Sequence, residues 1–177
     1  MDHLTSLKNL ILAPYILKAT SLISVRRLVG GNQFRHAFAT LGILIDYKYT
    51  DPVLLKASLM HDLLEEVDCQ DISEIARLDS DGYHVVSLVL EVTRGKDETK
   101  DQYLERLQSA SKNAKILKCA DRISNLTDLH LGTHTNQKIA SYLDQTEKYI
   151  LPLAKEVNID FETELLDLIA KRRMLCC

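Results

Sequence analysis

The chain has 177 residues, of which 46% are hydrophobic and 27% are charged, with a formal net charge of −3 at pH 7. This composition is typical of a soluble globular protein that is long enough to bury a hydrophobic core. The net negative charge argues against a general nucleic-acid surface, because such a surface needs a broad basic patch.

Two features of the sequence bear on location, and both favour the cytoplasm. The apolar run at residues 10–17 is interrupted by Pro14 and followed by Lys18, so it is too short for a membrane span and lacks a basic leader. We therefore expect neither a signal peptide nor a membrane anchor. The cysteines lack metal-finger spacing and suit a reducing compartment as free thiols: Cys69, Cys119, Cys176 and Cys177.

The hydrophobic residues recur with helical spacing along most of the chain, which contains only three Pro and six Gly. This pattern predicts an all-α fold, a single compact bundle of about eight to ten helices that forms one domain over residues 1–177. The predicted helices cover 3–12, 15–28, 33–46, 52–66, a short segment from 71 or 73, a segment capped at 80 or 81 that runs to 93, 99–111, 112–129, 135–155 and 160–173.

Local signals mark two of these boundaries. The Gly30, Gly31 and Asn32 run predicts a break before the third helix, since glycine readily ends helices. Asp51 followed by Pro52 predicts an N-cap with proline in the first helical turn.

Residues 54–66 combine a buried helical pattern with a concentration of charge. Apolar residues fall on nearly every side of this segment, yet its last turns carry His61, Asp62, Glu65 and Glu66. On a helix these side chains share an arc of roughly 140°. A bound metal cation would offset the cost of burying them. The alternative is a frayed helix end whose polar residues meet solvent.

A second segment, residues 115–126, begins a polar stripe on a helix that is otherwise largely apolar. Lys118, Asp121, Asn125 and Asp128 have helical spacing and stack along one side. The stripe could be an ordinary solvated face. Much of the helix should nevertheless be buried, because apolar or small residues cover its other sides: Ile116, Cys119, Ala120 and Ile123.

A third segment, residues 34–45, places His36 in an apolar helix. A single histidine there is more often a hydrogen-bonded core residue than a ligand. In chain order, the three segments carry His, then His-Asp, then Asp. Polar residues in three otherwise apolar helices argue that one shared cause explains all of them.

That order of residues resembles the motif order of the HD superfamily of metal-dependent phosphohydrolases. The resemblance implies an HD-domain fold and a divalent metal ion held by four ligands: His36, His61, Asp62 and Asp121. Two imidazoles and two carboxylates do not by themselves choose among manganese, iron and zinc. We expect one ion, manganese.

The resemblance narrows to the RelA/SpoT hydrolase domain. Residues 61–66 read HDLLEE and are similar to its His-Asp-x-x-Glu-Asp box. Residues 118–126 read KCADRISNL and are similar to its Lys-x-Ala-Asp-Arg-x-x-Asn box. The match extends over about 26–155. It implies hydrolysis of the 3′-pyrophosphate of guanosine tetra- or pentaphosphate, giving GDP or GTP and pyrophosphate.

The resemblance also assigns the proton-transfer work to Glu65 and Glu66. A bound metal lowers the pKa of its water, and two adjacent carboxylates raise one another's pKa toward neutrality. The family usually has Asp at the second position, and we expect the chemistry to survive the extra methylene.

An anionic nucleotide needs local cations and polar partners. The expected substrate-binding residues are Arg26, Arg27, Lys118, Arg122, Asn125 and Asp128. Leu28 replaces a lysine of the family and Asp128 replaces a threonine of many relatives, so an adenosine alarmone remains an alternative to a guanosine one.

The sequence is also compatible with two functions other than alarmone hydrolysis. One is a different HD phosphohydrolase acting on deoxynucleoside monophosphates or NADPH. The other is a non-enzymatic nucleotide sensor, against which the Glu65 and Glu66 pair weighs, since a sensor has no need of it. In each case the partner is a small-molecule nucleotide rather than nucleic acid or membrane, and the sequence does not indicate an oligomeric state.

Overall fold

The computed structural model describes residues 3–68 and 71–176, and within them the regular structure is helical. The all-α prediction is therefore confirmed. The helices, in chain order, are α1 (His3–Lys8), α2 (Ala13–Ala19), α3 (Gln33–Asp46), α4 (Pro52–Met60), α5 (Leu63–Glu66), α6 (Ile72–Ala76), α7 (Gly82–Val92), α8 (Lys100–Arg106), α9 (Lys112–Asp128), α10 (Asn136–Gln145), α11 (Leu151–Val157) and α12 (Ile159–Arg173).

The hydrophobic core lies between the two central helices, α3 and α9, and the helices around them. α3 packs against α4 and α9, α4 packs against α7, and α12 packs against α9 and α11. All seven residues from 54 to 60 are buried, as the all-round apolar pattern of α4 predicts. Because α3, α4 and α9 meet at the centre, polar residues on their facing sides are brought together inside the protein.

Side-chain caps fix where the central helices begin. Asn32, Asp51 and Ser111 each accept a hydrogen bond from the backbone N–H three residues later, at 2.9, 2.8 and 3.2 Å. Pro52 occupies the first turn of α4, so the predicted Asp51 cap is confirmed. Gly30 and Gly31 have φ of 89° and 71°, conformations that favour glycine, and they form the predicted break before α3.

The predicted continuous helix over 52–66 is wrong, because the chain leaves the helix at His61 and Asp62. The ring Nδ1 of His61 lies 2.8 Å from the carbonyl oxygen of Ser58, and Asp62 has ψ of −5°. A side chain that bonds a carbonyl of the preceding turn competes with the helical backbone bonds. The turn therefore changes the directions of the His61 and Asp62 side chains before α5 begins.

Two other predicted helices change their geometry part-way. The helix predicted at 15–28 is α-helical only to Ala19 and continues as a 3-10 turn over Thr20–Ser24. The helix predicted at 135–155 contains a π-helical turn at Thr146–Ile150, which ends two residues before Pro152. Proline lacks the N–H that an α-helix would use at this position, which favours a local change of hydrogen bonding.

The structure bears on two further predictions, one about membrane-spanning segments and one about the cysteines. Among the described residues, no helix combines the length and the apolar character that crossing a bilayer requires. Cys119 is a free and buried thiol. Cys69, Cys177 and the side chain of Cys176 lie outside the described part of the chain.

Candidate active site

The histidines predicted to bind metal face one another at the centre of the fold. His36 from α3 and His61 from the turn after α4 place their Nε2 atoms 3.3 Å apart. Asp62 Oδ2 lies 3.6 Å from the first of these nitrogens and 3.3 Å from the second. Potential ligand atoms of the three residues all lie within 4.8 Å of one another. The turn at His61 and Asp62 therefore brings together three of the four predicted ligands.

Asp121 of α9 completes the cluster. Its Oδ1 lies 3.1 Å from His36 Nε2 and 3.8 Å from His61 Nε2. Lys118 Nζ donates to Asp121 Oδ2 at 2.7 Å, and Asn125 Nδ2 donates to Oδ1 at 2.5 Å. These partners fix the orientation of the carboxylate, as supporting hydrogen bonds do for metal ligands.

The outer hydrogen bond of His61 leaves its inner ring nitrogen available. Because a carbonyl oxygen can only accept, the bond to Ser58 requires His61 Nδ1 to carry a hydrogen. Neutral His61 then presents the bare Nε2 lone pair to the cluster. His36 Nδ1 lies 2.9 Å from Ser124 Oγ, a hydroxyl that can accept from this nitrogen or donate to it.

The electrostatics of this cluster favour a cation between the four side chains. Burial lowers the pKa of His61, but the carboxylates of Asp62 and Asp121 outweigh it and raise the pKa to about 10. Burial raises the pKa of Asp121, while Lys118 and the two histidines bring it well below its usual range. Two imidazole nitrogens and two carboxylate oxygens fit the N/O ligand shell of a divalent transition metal ion.

Glu65 and Glu66 lie beside the cluster but have different partners. Glu65 Oε1 accepts a hydrogen bond from the backbone N–H of Arg94 at 2.7 Å. Glu66 Oε1 accepts one from Gln33 Nε2 at 3.1 Å. Burial is the main cause that raises the pKa of Glu65, and Asp62 adds to it. The two glutamates are therefore oriented by different groups.

The cluster opens into a cavity of about 610 Å³ bordered by a second one of about 320 Å³. The larger contains the two glutamates, His61, Asp62 and Asp121. The smaller has a mixed lining that includes Arg26, Arg27, Leu129 and Ile139. Both are lined by Glu66, Lys100, Asn125, Lys138 and Tyr142.

Basic side chains surround the larger cavity. They are Arg94, Lys100, Lys118, Arg122 and Lys138. Burial and repulsion from the other four lower the pKa of Lys100 to about 8. A group of like charges this close together is ready to bind an anion. Lys100 and Lys138 lie on different helices far apart in the chain, and their place in the site was not predicted from the sequence.

The structure separates the predicted substrate-binding residues into two groups. Arg26, Arg27, Lys118, Arg122 and Asn125 each line one or both cavities. Arg27 also donates to Asn125 Oδ1 at 2.7 Å and lies 3.4 Å from Asp128 Oδ2. Asp128 contacts Arg27 instead of lining either cavity.

Arg122 has internal partners in addition to its place on the cavity wall. It is 2% exposed, donates to Thr146 Oγ1 at 2.8 Å, and stacks on Tyr142 with its guanidinium carbon 4.1 Å from the ring centroid. The acceptor Thr146 begins the π-helical turn after α10. Arg122 thus connects α9 to the helix that carries Lys138 and Tyr142.

Relatives of known function are similar to this chain in sequence. The chain is 30% identical over 135 residues to guanosine-3′,5′-bis(diphosphate) 3′-pyrophosphohydrolase MESH1 of Drosophila melanogaster, covering 71% of this chain and 72% of that protein. It is 32% identical over 130 residues to MESH1 of Mus musculus, covering 70% of each. The chain belongs to the MESH1 family. No model of a protein family matches it.

A solved structure supports this MESH1 membership. It is described as a metazoan ortholog of SpoT that hydrolyzes ppGpp, and it superposes with a TM-score of 0.80 at 26% identity. The match covers 91% of this chain and 94% of the solved one. The fold expected from the sequence is thus confirmed.

Proposed function

We propose that this protein is a metal-dependent hydrolase that removes the 3′-pyrophosphate of guanosine tetra- or pentaphosphate, giving GDP or GTP and pyrophosphate. One observation carries the proposal: the cluster of two histidines and two aspartates opens into a cavity lined by basic side chains. Membership in the MESH1 family supports it, because the relatives are named as 3′-pyrophosphohydrolases of guanosine-3′,5′-bis(diphosphate).

The residues that would hold the divalent ion are His36, His61, Asp62 and Asp121. Manganese is the ion we expect among the divalent transition metal ions that this mixed N/O shell accepts. When bound, the ion supplies a Lewis acid for the phosphoryl oxygens and lowers the pKa of water. The carboxylate of Asp121, oriented by Lys118 and Asn125, is prepared for this role.

Glu65 takes the proton of the attacking water in this proposal. Its carboxylate lines the larger cavity, and burial raises its pKa toward the range useful for proton transfer. The water oxygen bonds to the phosphorus attached to the ribose 3′-oxygen. The bond between phosphorus and that oxygen breaks, and the oxygen leaves with the electron pair and takes up a proton.

We assign the protonation of the leaving 3′-oxygen to Glu66. It lines both cavities and therefore lies where they meet. A substrate with its pyrophosphate in one cavity and its ribose in the other would have the bond between them at this point. Gln33 donates to Glu66 Oε1 at 3.1 Å and orients the carboxyl group. In this proposal Glu66 supplies the proton that the 3′-oxygen needs.

The two cavities divide the substrate between them. Arg94, Lys100, Lys118 and Lys138 would hold the pyrophosphate in the larger cavity, because their positive charges offset its negative charges. The base and ribose would occupy the smaller cavity, where apolar surface lies beside Arg27. A small-molecule nucleotide is thus the partner that this site fits.

Product analysis tests this function. Purified protein loaded with manganese is incubated separately with guanosine tetraphosphate, the corresponding adenosine alarmone and NADPH, and both pyrophosphate and orthophosphate are measured. We expect pyrophosphate and GDP from guanosine tetraphosphate, and no product from the His61→Ala variant. Orthophosphate from NADPH without pyrophosphate from either alarmone would contradict the proposal, and so would nucleotide binding without turnover.

A further inference from the structure

A backbone group of the loop after α7 holds Glu65, the proton acceptor of the proposed function. The N–H of Arg94 donates to Glu65 Oε1 at 2.7 Å. α7 ends at Val92, and Arg94 is the second residue beyond it. The position of the carboxylate therefore depends on how firmly the Arg94 amide is fixed.

Arg106 of α8 holds the other end of the same peptide group. Its Nη2 donates to the carbonyl oxygen of Thr93 at 3.0 Å. The carbonyl of Thr93 and the N–H of Arg94 belong to one planar peptide unit, so fixing the first also fixes the direction of the second. Hydrogen bonds at both ends of a peptide also polarise one another and grow stronger.

The remaining donors of Arg106 secure the residues on either side of this peptide. Nη1 donates to the carbonyl of Glu91 at 2.9 Å, while Nε and Nη2 donate to the carboxylate of Glu98 at 2.8 and 3.0 Å. Glu98 also accepts from the Gly95 N–H at 3.1 Å. A planar fork of donors is needed for such a set, and lysine does not provide one.

We propose that Arg106 is a positioning residue for catalysis, which acts through the peptide between Thr93 and Arg94 to aim the carboxylate of Glu65 at the attacking water. Arg106 lies outside the residues that line the two substrate cavities. The inference rests on the proposed function, since it takes Glu65 as the proton acceptor. A purely structural role, in which Arg106 only caps the end of α7, makes different predictions.

A double-mutant cycle separates the two roles. We expect Arg106→Met to lower the single-turnover rate with guanosine tetraphosphate about 10- to 100-fold, with KM and manganese content unchanged. In the Glu65→Gln background, the same substitution should change the rate by about twofold or less. Equal loss in both backgrounds would overturn the proposal, because it would show that Arg106 acts independently of Glu65.

Two other variants serve as controls for this cycle. Arg77→Met removes an exposed arginine of the α6 end that pairs with Asp71, and it should leave the rate unchanged. Arg106→Lys keeps the charge and the side-chain stem, so it remains informative if Arg106→Met does not fold. We expect Arg106→Lys to lose single-turnover rate in the same direction, and a rate equal to the wild type would overturn the proposal.

A matched pair of substitutions at Arg94 tests the N–H directly. Arg94→Ala and Arg94→Pro both remove the side chain, but only proline removes the N–H that Glu65 accepts. We expect the proline variant to be at least about tenfold slower than the alanine variant in single turnover at saturating substrate. Equal rates in this pair would mean that the Arg94 amide does not position Glu65.

Amide hydrogen exchange at Arg94 gives a measurement that needs no substrate. We expect exchange of this amide to be faster in Arg106→Met than in the wild type or in Arg77→Met. Unchanged exchange would overturn the positioning role. If the wild type releases no pyrophosphate, the proposed function fails, whereas the exchange comparison still decides whether Arg106 fixes the Arg94 amide.

Discussion

Lys118 and Asp121 form an ion pair inside the protein, with Nζ 2.7 Å from Oδ2. The other oxygen of Asp121 faces His36 and His61 at 3.1 and 3.8 Å. Burial lowers the pKa of Lys118, but the charge of Asp121 outweighs it and raises the pKa overall. Both groups are therefore charged at neutral pH, and Asp121 presents an ionised oxygen to the cluster before any metal arrives.

Removing a ligand should release the metal. We expect His61→Ala and Asp121→Asn to lose bound manganese and hydrolysis together, because each removes a ligand and leaves a neighbouring polar group unpaired. Metal content of the purified, folded variants is the measurement. Asp167→Asn makes the same chemical change on an exposed face of α12 and should retain the metal. Full occupancy in both site variants would exclude these residues from the ligand set.

Substituting the glutamates should separate metal binding from turnover. Glu65→Gln keeps the hydrogen bond from Arg94 but cannot take up a proton as a carboxylate does. We expect it to retain manganese and bind guanosine tetraphosphate, while its single-turnover rate falls by roughly two to four orders of magnitude.

The second glutamate provides the comparison. Glu66→Asp restores the residue usual in the RelA/SpoT family and should leave at least comparable activity, whereas Glu66→Gln should be impaired. Saturating manganese and single-turnover conditions exclude effects of metal loss and product release. Wild-type rates in both Glu65→Gln and Glu66→Gln would show that neither carboxylate transfers the proton.

The sequence was sufficient to predict the elements whose signals are local. The cap at Asp51 and the helix over 33–46 follow from residue types and spacing, and the structure has both. The family motifs identified three residues that the structure brings together, His36, His61 and Asp62. Motif order is informative here because His36 lies on α3 while His61 and Asp62 lie on the turn after α4, and the fold brings these two segments together.

Features that depend on distant contacts could not be predicted. The helix break at His61 arises when its ring bonds the Ser58 carbonyl, and helical periodicity does not record that competition. Lys100 and Lys138 reach the same cavity from α8 and α10, which are separated by all of α9. Their proximity is set by packing, so isolated lysines on polar faces gave no signal.

The depressed pKa of Lys100 predicts a pH dependence of substrate capture. Because burial and its cationic neighbours place this pKa at about 8, Lys100 is charged below that pH and neutral above it. We expect kcat/KM for guanosine tetraphosphate to fall as pH rises through about 8, since kcat/KM reports groups of the free enzyme. Initial rates across pH at constant ionic strength and saturating manganese are the measurement.

The control for Lys100 is a cation that does not titrate in this range. Lys100→Arg retains its charge at high pH, so it should move the alkaline decline upward. Lys100→Met should lower kcat/KM at pH 7 and remove the same decline. An unchanged profile in both variants would assign the titration to another group.

Another buried cation, Lys56, stabilises the fold away from the candidate active site. Its Nζ donates to Asp79 and Asp81 at 2.6 Å each, and the Tyr15 hydroxyl donates to Asp79 at 2.7 Å. Lys56 is 4% exposed and stands on α4. The network joins α2 and α4 to the start of α7.

Lys56→Met should therefore lower stability without changing catalysis. The substitution keeps an apolar stem but leaves Asp79 and Asp81 without their cation. Their side chains are 23% and 32% exposed, so water compensates in part. We expect the free energy of unfolding to fall by about 2 kcal/mol, less than the about 3–5 kcal/mol of a fully buried pair. Urea denaturation measures this loss.

Lys171→Met breaks an exposed pair and should cost less than about 1 kcal/mol. Equal losses in the two variants would mean that the Lys56 network contributes no more than a surface ion pair.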